Sequence, residues 1–191
     1  MQKRHTDRKR YFCELATTSN SFYVDYVKKY KSIDPATRIL EVGCGEGGNL
    51  LPFAKLGAKV VGVDLSEARI EQARNFFLET NQEGEFCNMD FLQMESPRSE
   101  DLFDIVLVHD VIEHIEPQFK KTFISRIKMF TKDDGLFFFD SLLGKCHSED
   151  INKFVKASFS QRLRSYICSP RKFTDVFSVL SGKVYLVLKN F

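Results

Sequence analysis

No apolar stretch in this chain approaches the ~20 residues that a membrane-spanning helix needs. Runs such as residues 105–108 and 136–139 are strand-sized. The N-terminal stretch has no apolar core of the kind a secretory leader carries, so no targeting segment is expected. Cysteine pairing is missing too. Cys13, Cys44, Cys87, Cys146 and Cys168 are five in number, widely spaced and without a C-x-x-C pair. That pattern argues against a disulfide framework or a zinc knuckle and for a reducing cytoplasm. Neither charge sign dominates: 28 Lys+Arg stand against 26 Asp+Glu, a net +2. Such a balance implies no polyanion, and no nucleic-acid partner is expected. The local excess of Lys3, Arg4, Arg8, Lys9 and Arg10, opposed only by Asp7, reads as a solvated and partly frayed end.

What the chain does have is an alternation of helical and strand patterns with no repeat or low-complexity segment. Its 191 residues, 43% hydrophobic and 28% charged, suit one globular domain with a real core. Phe22, Tyr23, Tyr26, Val27 and Tyr30 share one face of a helix expected over residues 20–30. Pro35 then breaks the chain before the first strand. A short helix is expected over residues 49–56, with Pro52 in its first turn and Gly57 ending it. Ser66 is the expected cap of a helix with Ile70, Ala73, Phe76 and Phe77 inside. Phe119, Phe123, Ile124, Ile127 and Phe130 mark another helix, and Phe173, Val176, Phe177 and Leu180 a later one. Residues 184–188 read as the last strand. Strands alternating with helices of this length predict an α/β fold, a doubly wound, mostly parallel sheet flanked by helices on both faces. Residues 1–35 form a helical segment of the same domain, and residues 36–191 the cofactor-binding part.

The strongest local signal is Ile39-Leu40-Glu41-Val42-Gly43-Cys44-Gly45-Glu46-Gly47-Gly48-Asn49-Leu50, an apolar strand running into a glycine-packed turn and a helix. Gly43, Gly45 and Gly47 lack the Cβ atoms that would keep a ligand off the backbone, and they permit positive φ. The N–H groups of the following helix are expected to point back at the bound molecule. A second strand ends at Asp64, about 20 residues after Gly43, where an acid can accept from ribose hydroxyls. Gly43, Gly45 and Gly48 also satisfy G-x-G-x-x-G, which keeps a dinucleotide reading open. Glu41 at the end of the first strand suits a cationic, amine-bearing ligand better than a pyrophosphate.

The run Glu41-x-Gly43-x-Gly45-x-Gly47 resembles the first motif of the S-adenosylmethionine-dependent methyltransferases with a Rossmann-like fold. The resemblance continues through residues 85–91, 103–114 and 133–139, which look like the third strand, the fourth strand with its turn, and the turn into the fifth. It covers roughly residues 36–141 and is closest to the branch that methylates small molecules such as quinone precursors. It implies S-adenosyl-L-methionine as cofactor and a small-molecule acceptor. Glu41 would face the methionine amine, with Gly43, Cys44, Gly45 and Gly47 forming the turn, although Cys44 reads most simply as a small packing residue. Asp64 would bind the ribose, Leu65 would lie against the adenine, Asp90 and Phe91 would hold it, and His109 would flank the adenosyl group.

Asp110-x-x-Glu113-His114 resembles the acid-x-x-Glu-His pattern that holds a divalent metal in some members, with His147 a conceivable further ligand. A structural or acceptor-orienting role without metal is the preferred reading, with Asp110, Glu113 and His114 as the catalytic candidates. Asp104, Phe103 and the aromatic run at residues 137–139 read as structural. Only one clear strand follows residue 145, which predicts a reduced C-terminal hairpin unless residues 165–168 supply a second strand. Two readings compete with the enzyme. A methyltransferase-like scaffold is one. The other is an NAD-binding oxidoreductase, against which stands the expected lack of a Tyr-x-x-x-Lys or similar hydride-transfer constellation.

Overall fold

Five parallel strands carry the fold in a computed structural model that describes residues 7–142, 178–180 and 183–189. In chain order they are β1 (Arg38–Val42), β2 (Lys59–Asp64), β3 (Glu85–Asn88), β4 (Phe103–His109) and β5 (Thr131–Leu142). Two more strands, β6 (Ser178–Leu180) and β7 (Lys183–Lys189), complete a sheet of order β3-β2-β1-β4-β5-β7-β6. Strand β7 runs antiparallel to both β5 and β6. The order reverses between β1 and β4, so the loops after these strands flank the crevice where open α/β sheets take ligands.

The helices are α1 (Arg8–Thr18), α2 (Asp25–Val27), α3 (Leu51–Lys55), α4 (Glu67–Glu79) and α5 (Pro117–Phe130). Alternation along the strands sorts the core onto two faces. Ile39, Ile105 and Leu107 face one layer with Phe53, Ile70, Ala73 and Phe77. Leu40, Val42, Val106 and Val108 face the other with Phe123, Ile127 and Phe130 of α5. The doubly wound reading therefore holds.

Several expectations need correction. The N-terminal helix begins at Arg8, and a π-helical turn (Ser19–Val24) joins α1 to α2. That extra residue rotates the helix face, leaving Phe22 exposed while Tyr23 is buried. The basic N-terminus is not frayed where it is described: Arg8 pairs with Glu46, Lys9 with Glu79 and Arg10 with Glu14. Ser66 sits at the cap position of α4 but makes no side-chain cap bond. The turn expected at Asp133-Asp134-Gly135 is absorbed into β5 as a bulge, because Phe103 pairs with Thr131 and Ile105 with Leu136.

The hairpin is not reduced. Leu180, expected on a helix, lies in β6, whose pairing with β7 overrides the helical spacing. Residues 165–168, His147, Cys146, Cys168, Lys3, Arg4, Phe173, Val176 and Phe177 lie outside the described residues.

At the amino edge of the sheet, Asp104 (6% exposed) accepts the Arg38 amide at 2.9 Å and Lys132 Nζ at 3.0 Å. Lys31 Nζ lies 3.1 Å from its other oxygen. Burial alone would push this carboxyl up, but the Arg38 amide and the two ammonium groups hold it below the ordinary carboxylate value. Its structural reading stands, as does that of Phe103, Phe137 and Phe138, all buried.

Candidate functional site: the carboxyl edge around the glycine turn

Residues 43–48 form the turn between β1 and α3, and Asp64 at the end of β2 braces it. Its Oδ2 accepts the Gly45 amide at 2.8 Å, and its Oδ1 the Ser66 amide at 2.8 Å. The Gly43 and Cys44 amides both donate to the Val63 carbonyl, at 2.8 and 3.0 Å. Gly43, Gly45 and Gly47 have φ of +75°, +52° and +79°, a region that favours glycine.

The three glycines serve different ends. A Cβ on Gly43 would collide with Val111 Cγ2, and one on Gly47 would meet Phe86 at 2.9 Å. Only at Gly45 is there room, its nearest neighbour being Arg69 Nη1 at 3.7 Å. The expectation that all three clear space for a ligand is thus corrected: two clear space for the protein itself. The helix-terminus expectation also weakens. α3 has five residues, and the Leu50 and Leu51 amides before and at its start already bond to the Gly47 and Gly48 carbonyls. Cys44 packs its thiol into the core against Gly62, and burial pushes that thiol far up.

Acids converge beneath and beside this turn. Glu41 (1% exposed) accepts Asn49 Nδ2 at 2.7 Å. Glu46, wholly buried, takes Arg8 Nη1 at 2.6 Å and has Arg69 Nε at 3.9 Å. Its second oxygen, Oε2, and Asn49 Oδ1 are buried acceptors with no hydrogen-bond partner among the described residues. Half-buried Tyr11 of α1 reports the same charge. Burial first, then Glu46, Asp110 and Glu41, raise its phenol, while Arg69 opposes them. Ser19 Oγ donates to the Asn49 carbonyl at 2.7 Å, so the N-terminal segment closes over the turn.

Beyond β4, His109 Nδ1 lies 2.7 Å from the Tyr23 hydroxyl, and its Nε2 lies 3.5 Å from Asp110 Oδ2. Asp110 has φ +49°, a conformation uncommon outside glycine. His114 is exposed, and its amide bonds to the Val111 carbonyl at 2.9 Å. Of Glu113 only the backbone is described, within the 3₁₀ turn Ile112–His114. Among the described residues, no three of His, Cys, Asp and Glu cluster as a metal cradle.

On the third side, Leu65 is 75% and Met89 40% exposed, two apolar side chains that a flat ring could cover. Asp90 caps the 3₁₀ turn Phe91–Gln93, accepting the Leu92 amide at 2.8 Å. Phe91 is not available as a platform. Its ring is buried edge-on against Phe123, at 5.5 Å, and near Phe130, at 5.2 Å. The sequence does not mark Tyr11, Tyr23, Glu46, Asn49 and Arg69 as site residues. Only the alternation of Glu46 with glycines hinted at any of them.

This geometry has relatives. The model of a family described as "Methyltransferase domain" matches residues 39–135. The chain belongs to that family. The matched stretch holds the glycine turn, Asp64 and the loop after β4.

A ubiquinone biosynthesis O-methyltransferase of Actinobacillus pleuropneumoniae serotype 7 is 26% identical over 126 residues, covering 64% of this chain and 53% of that protein. One from Rhodopseudomonas palustris is 34% identical over 99 residues, covering 52% and 37%. The chain spans about half the length, or less, of these curated relatives.

Among solved structures, the PH0226 protein of Pyrococcus horikoshii is similar with TM-score 0.68 and 19% identity, covering 92% of this chain and 91% of that one. An S-adenosylmethionine-dependent methyltransferase of Clostridium acetobutylicum matches with TM-score 0.56 and 21% identity, covering 64% and 49%. At such identity these likenesses show the Rossmann-like methyltransferase fold. The expectation of no Tyr-x-x-x-Lys pair needs correction, because Tyr185 and Lys189 have that spacing. The pair lies on β7, where four residues span about 13 Å instead of one helical turn.

Proposed function

We propose that this chain transfers the methyl group of S-adenosyl-L-methionine to a small-molecule acceptor. The observation that carries this reading is the pair of buried carboxylates, Glu41 and Glu46, around the one open glycine, Gly45. A sulfonium with a free ammonium group brings positive charge to such a place, whereas a pyrophosphate would meet repulsion. Asn49 Oδ1, on the side chain whose Nδ2 bonds to Glu41, is a buried acceptor without a hydrogen-bond partner among the described residues, and an ammonium group at Glu41 could satisfy it, so the residues fit the cofactor.

Bound there, the cofactor supplies a methyl group on an excellent leaving group. The protein's part is then mainly alignment of acceptor and donor. Glu41 takes the ammonium group. Asp64 takes the ribose hydroxyls on lone pairs that the Gly45 and Ser66 amides leave free. Leu65 lies against the adenine with Asp90 at its edge, and Phe91 supports that wall from within the core. His109 flanks the adenosyl group. Asp110, Glu113 and His114 orient or deprotonate the acceptor without a metal. The names of the curated relatives favour an oxygen acceptor of the quinone-precursor type. Unpaired cysteines Cys13, Cys44 and Cys87 support work in a reducing cytoplasm. The contact of α1 with the glycine turn supports treating residues 1–35 as part of the same domain.

Incubation with S-adenosylmethionine carrying a labelled methyl group and a panel of catechols, phenols and amines tests the reading. Label is expected in a phenolic or catecholic product. Label in none of them, from a protein that binds the donor, would favour the scaffold.

A further inference from the structure

The chain Tyr23–His109–Asp110 has a direction that the chemistry of its ends dictates. A neutral imidazole carries its proton on one nitrogen and a lone pair on the other. The Asp110 carboxylate only accepts, and its Oδ2 lies 3.5 Å from Nε2, a placement that favours the proton on Nε2. Nδ1 is then the acceptor, and the Tyr23 hydroxyl at 2.7 Å is its donor. Tyr23 is 1% exposed, and its ring lies 4.9 Å from that of Phe138, so the hydroxyl is held by the core.

Tyr23 belongs to the π-helical turn Ser19–Val24, whose first residue bonds to the Asn49 carbonyl. One turn therefore grips both Asn49, directly after the glycine turn, and His109 at the end of β4. π-Turns recur at functional sites, where the extra residue re-aims side chains. At the far end of the chain, Asp110 is kept in left-handed backbone with 27% of its side chain open to solvent.

We infer that Tyr23 is a positioning residue for the methyl transfer proposed above, on which this role rests. Its hydroxyl fixes His109 as the Nε2–H tautomer, and that N–H faces the Asp110 carboxylate 3.5 Å away. Phe at position 23 keeps the buried ring and removes the hydroxyl.

Nitrogen-15 spectra of the imidazole rings, recorded near pH 8 where histidine is neutral, read the tautomer without any turnover. Wild-type protein is expected to show His109 protonated at Nε2. Tyr23→Phe is expected to show a tautomer mixture, and Asp110→Asn, which leaves the Tyr23 donor in place, a tautomer like that of the wild type. Tyr23→Phe should also lower kcat several-fold while KM for the methyl donor stays within about two-fold, the signature of lost alignment. A wild-type ring protonated at Nδ1, or a Tyr23→Phe protein with unchanged ring shifts or unchanged kcat, overturns the role. Failure to bind S-adenosylhomocysteine would instead overturn the proposed function, with the ring spectra still deciding the tautomer.

Discussion

Arg8, the first residue of α1, places its guanidinium 2.6 Å from the wholly buried carboxylate of Glu46 in the glycine turn. The N-terminal helix is thereby fastened to the loop that forms the candidate cofactor site. Nearby, Gly48 leaves no room for a Cβ, which would meet the Phe12 carbonyl and Leu15 at 2.7 Å. Close packing and an ion pair act at the same contact.

Arg8→Ala leaves the Glu46 carboxylate with Arg69 as its remaining ion-pair partner among the described residues, at the longer distance of 3.9 Å. The loss of a charged partner to a buried acid is expected to cost about 1–3 kcal/mol. Urea unfolding followed by circular dichroism reads this as a lower midpoint with an unchanged slope. Unchanged stability would mean that α1 is held by packing alone.

Asp64→Ala removes the acceptor of the Gly45 and Ser66 amide hydrogen bonds as well as the proposed ribose contact. Cofactor affinity is expected to fall roughly ten-fold or more, since a charge-assisted bond is worth about 1.5–3 kcal/mol. The melting temperature should fall too, because Gly45 and Ser66 lose their acceptor. Calorimetry with S-adenosylhomocysteine on the folded variant checks the first effect. An affinity within two-fold of wild type would place the ribose elsewhere.

Asp104 sets an acid limit on stability. Its folded-state carboxyl titrates below its ordinary value, so protons bind the unfolded chain more readily. Its contribution is fully present above the ordinary carboxylate range near pH 4 and is lost as pH falls through the depressed value. Asp104→Asn should be less stable at neutral pH and lose less on acidification. Unfolding free energies measured in urea from neutral pH downward compare the two. Parallel curves would show that Asp104 does not govern the acid limb.

His114→Ala should lose catalytic rate with little change in cofactor affinity, and enzyme treated with a chelator should keep its activity. Steady-state kinetics with and without EDTA decide this. Activity that vanishes with chelator and returns with magnesium or zinc would establish a metal at Asp110, Glu113 and His114.

Legibility followed locality. β1, the glycine turn and Asp64 announce themselves because strand pattern, turn chemistry and spacing lie within a short stretch of chain. The parallel sheet followed from alternating elements. Tyr23 and His109 meet across 86 positions, and Arg8 and Glu46 across 38, so no local pattern marks either pair. Leu180 was misread because its spacing suits a helix, while its pairing with Lys183 in β7 makes it a strand residue. Phe91 was assigned to the ligand because a motif locates a residue but not the side to which its ring turns.

The central claim is that the acidic glycine turn takes a cationic adenosyl ligand, and ligand-dependent melting tests it most directly. A ligand that binds only the folded state raises the melting temperature as its concentration exceeds the dissociation constant. S-adenosylmethionine and S-adenosylhomocysteine are expected to raise it in a concentration-dependent way, with NAD causing no shift. A shift with NAD and none with either adenosyl ligand would contradict the account.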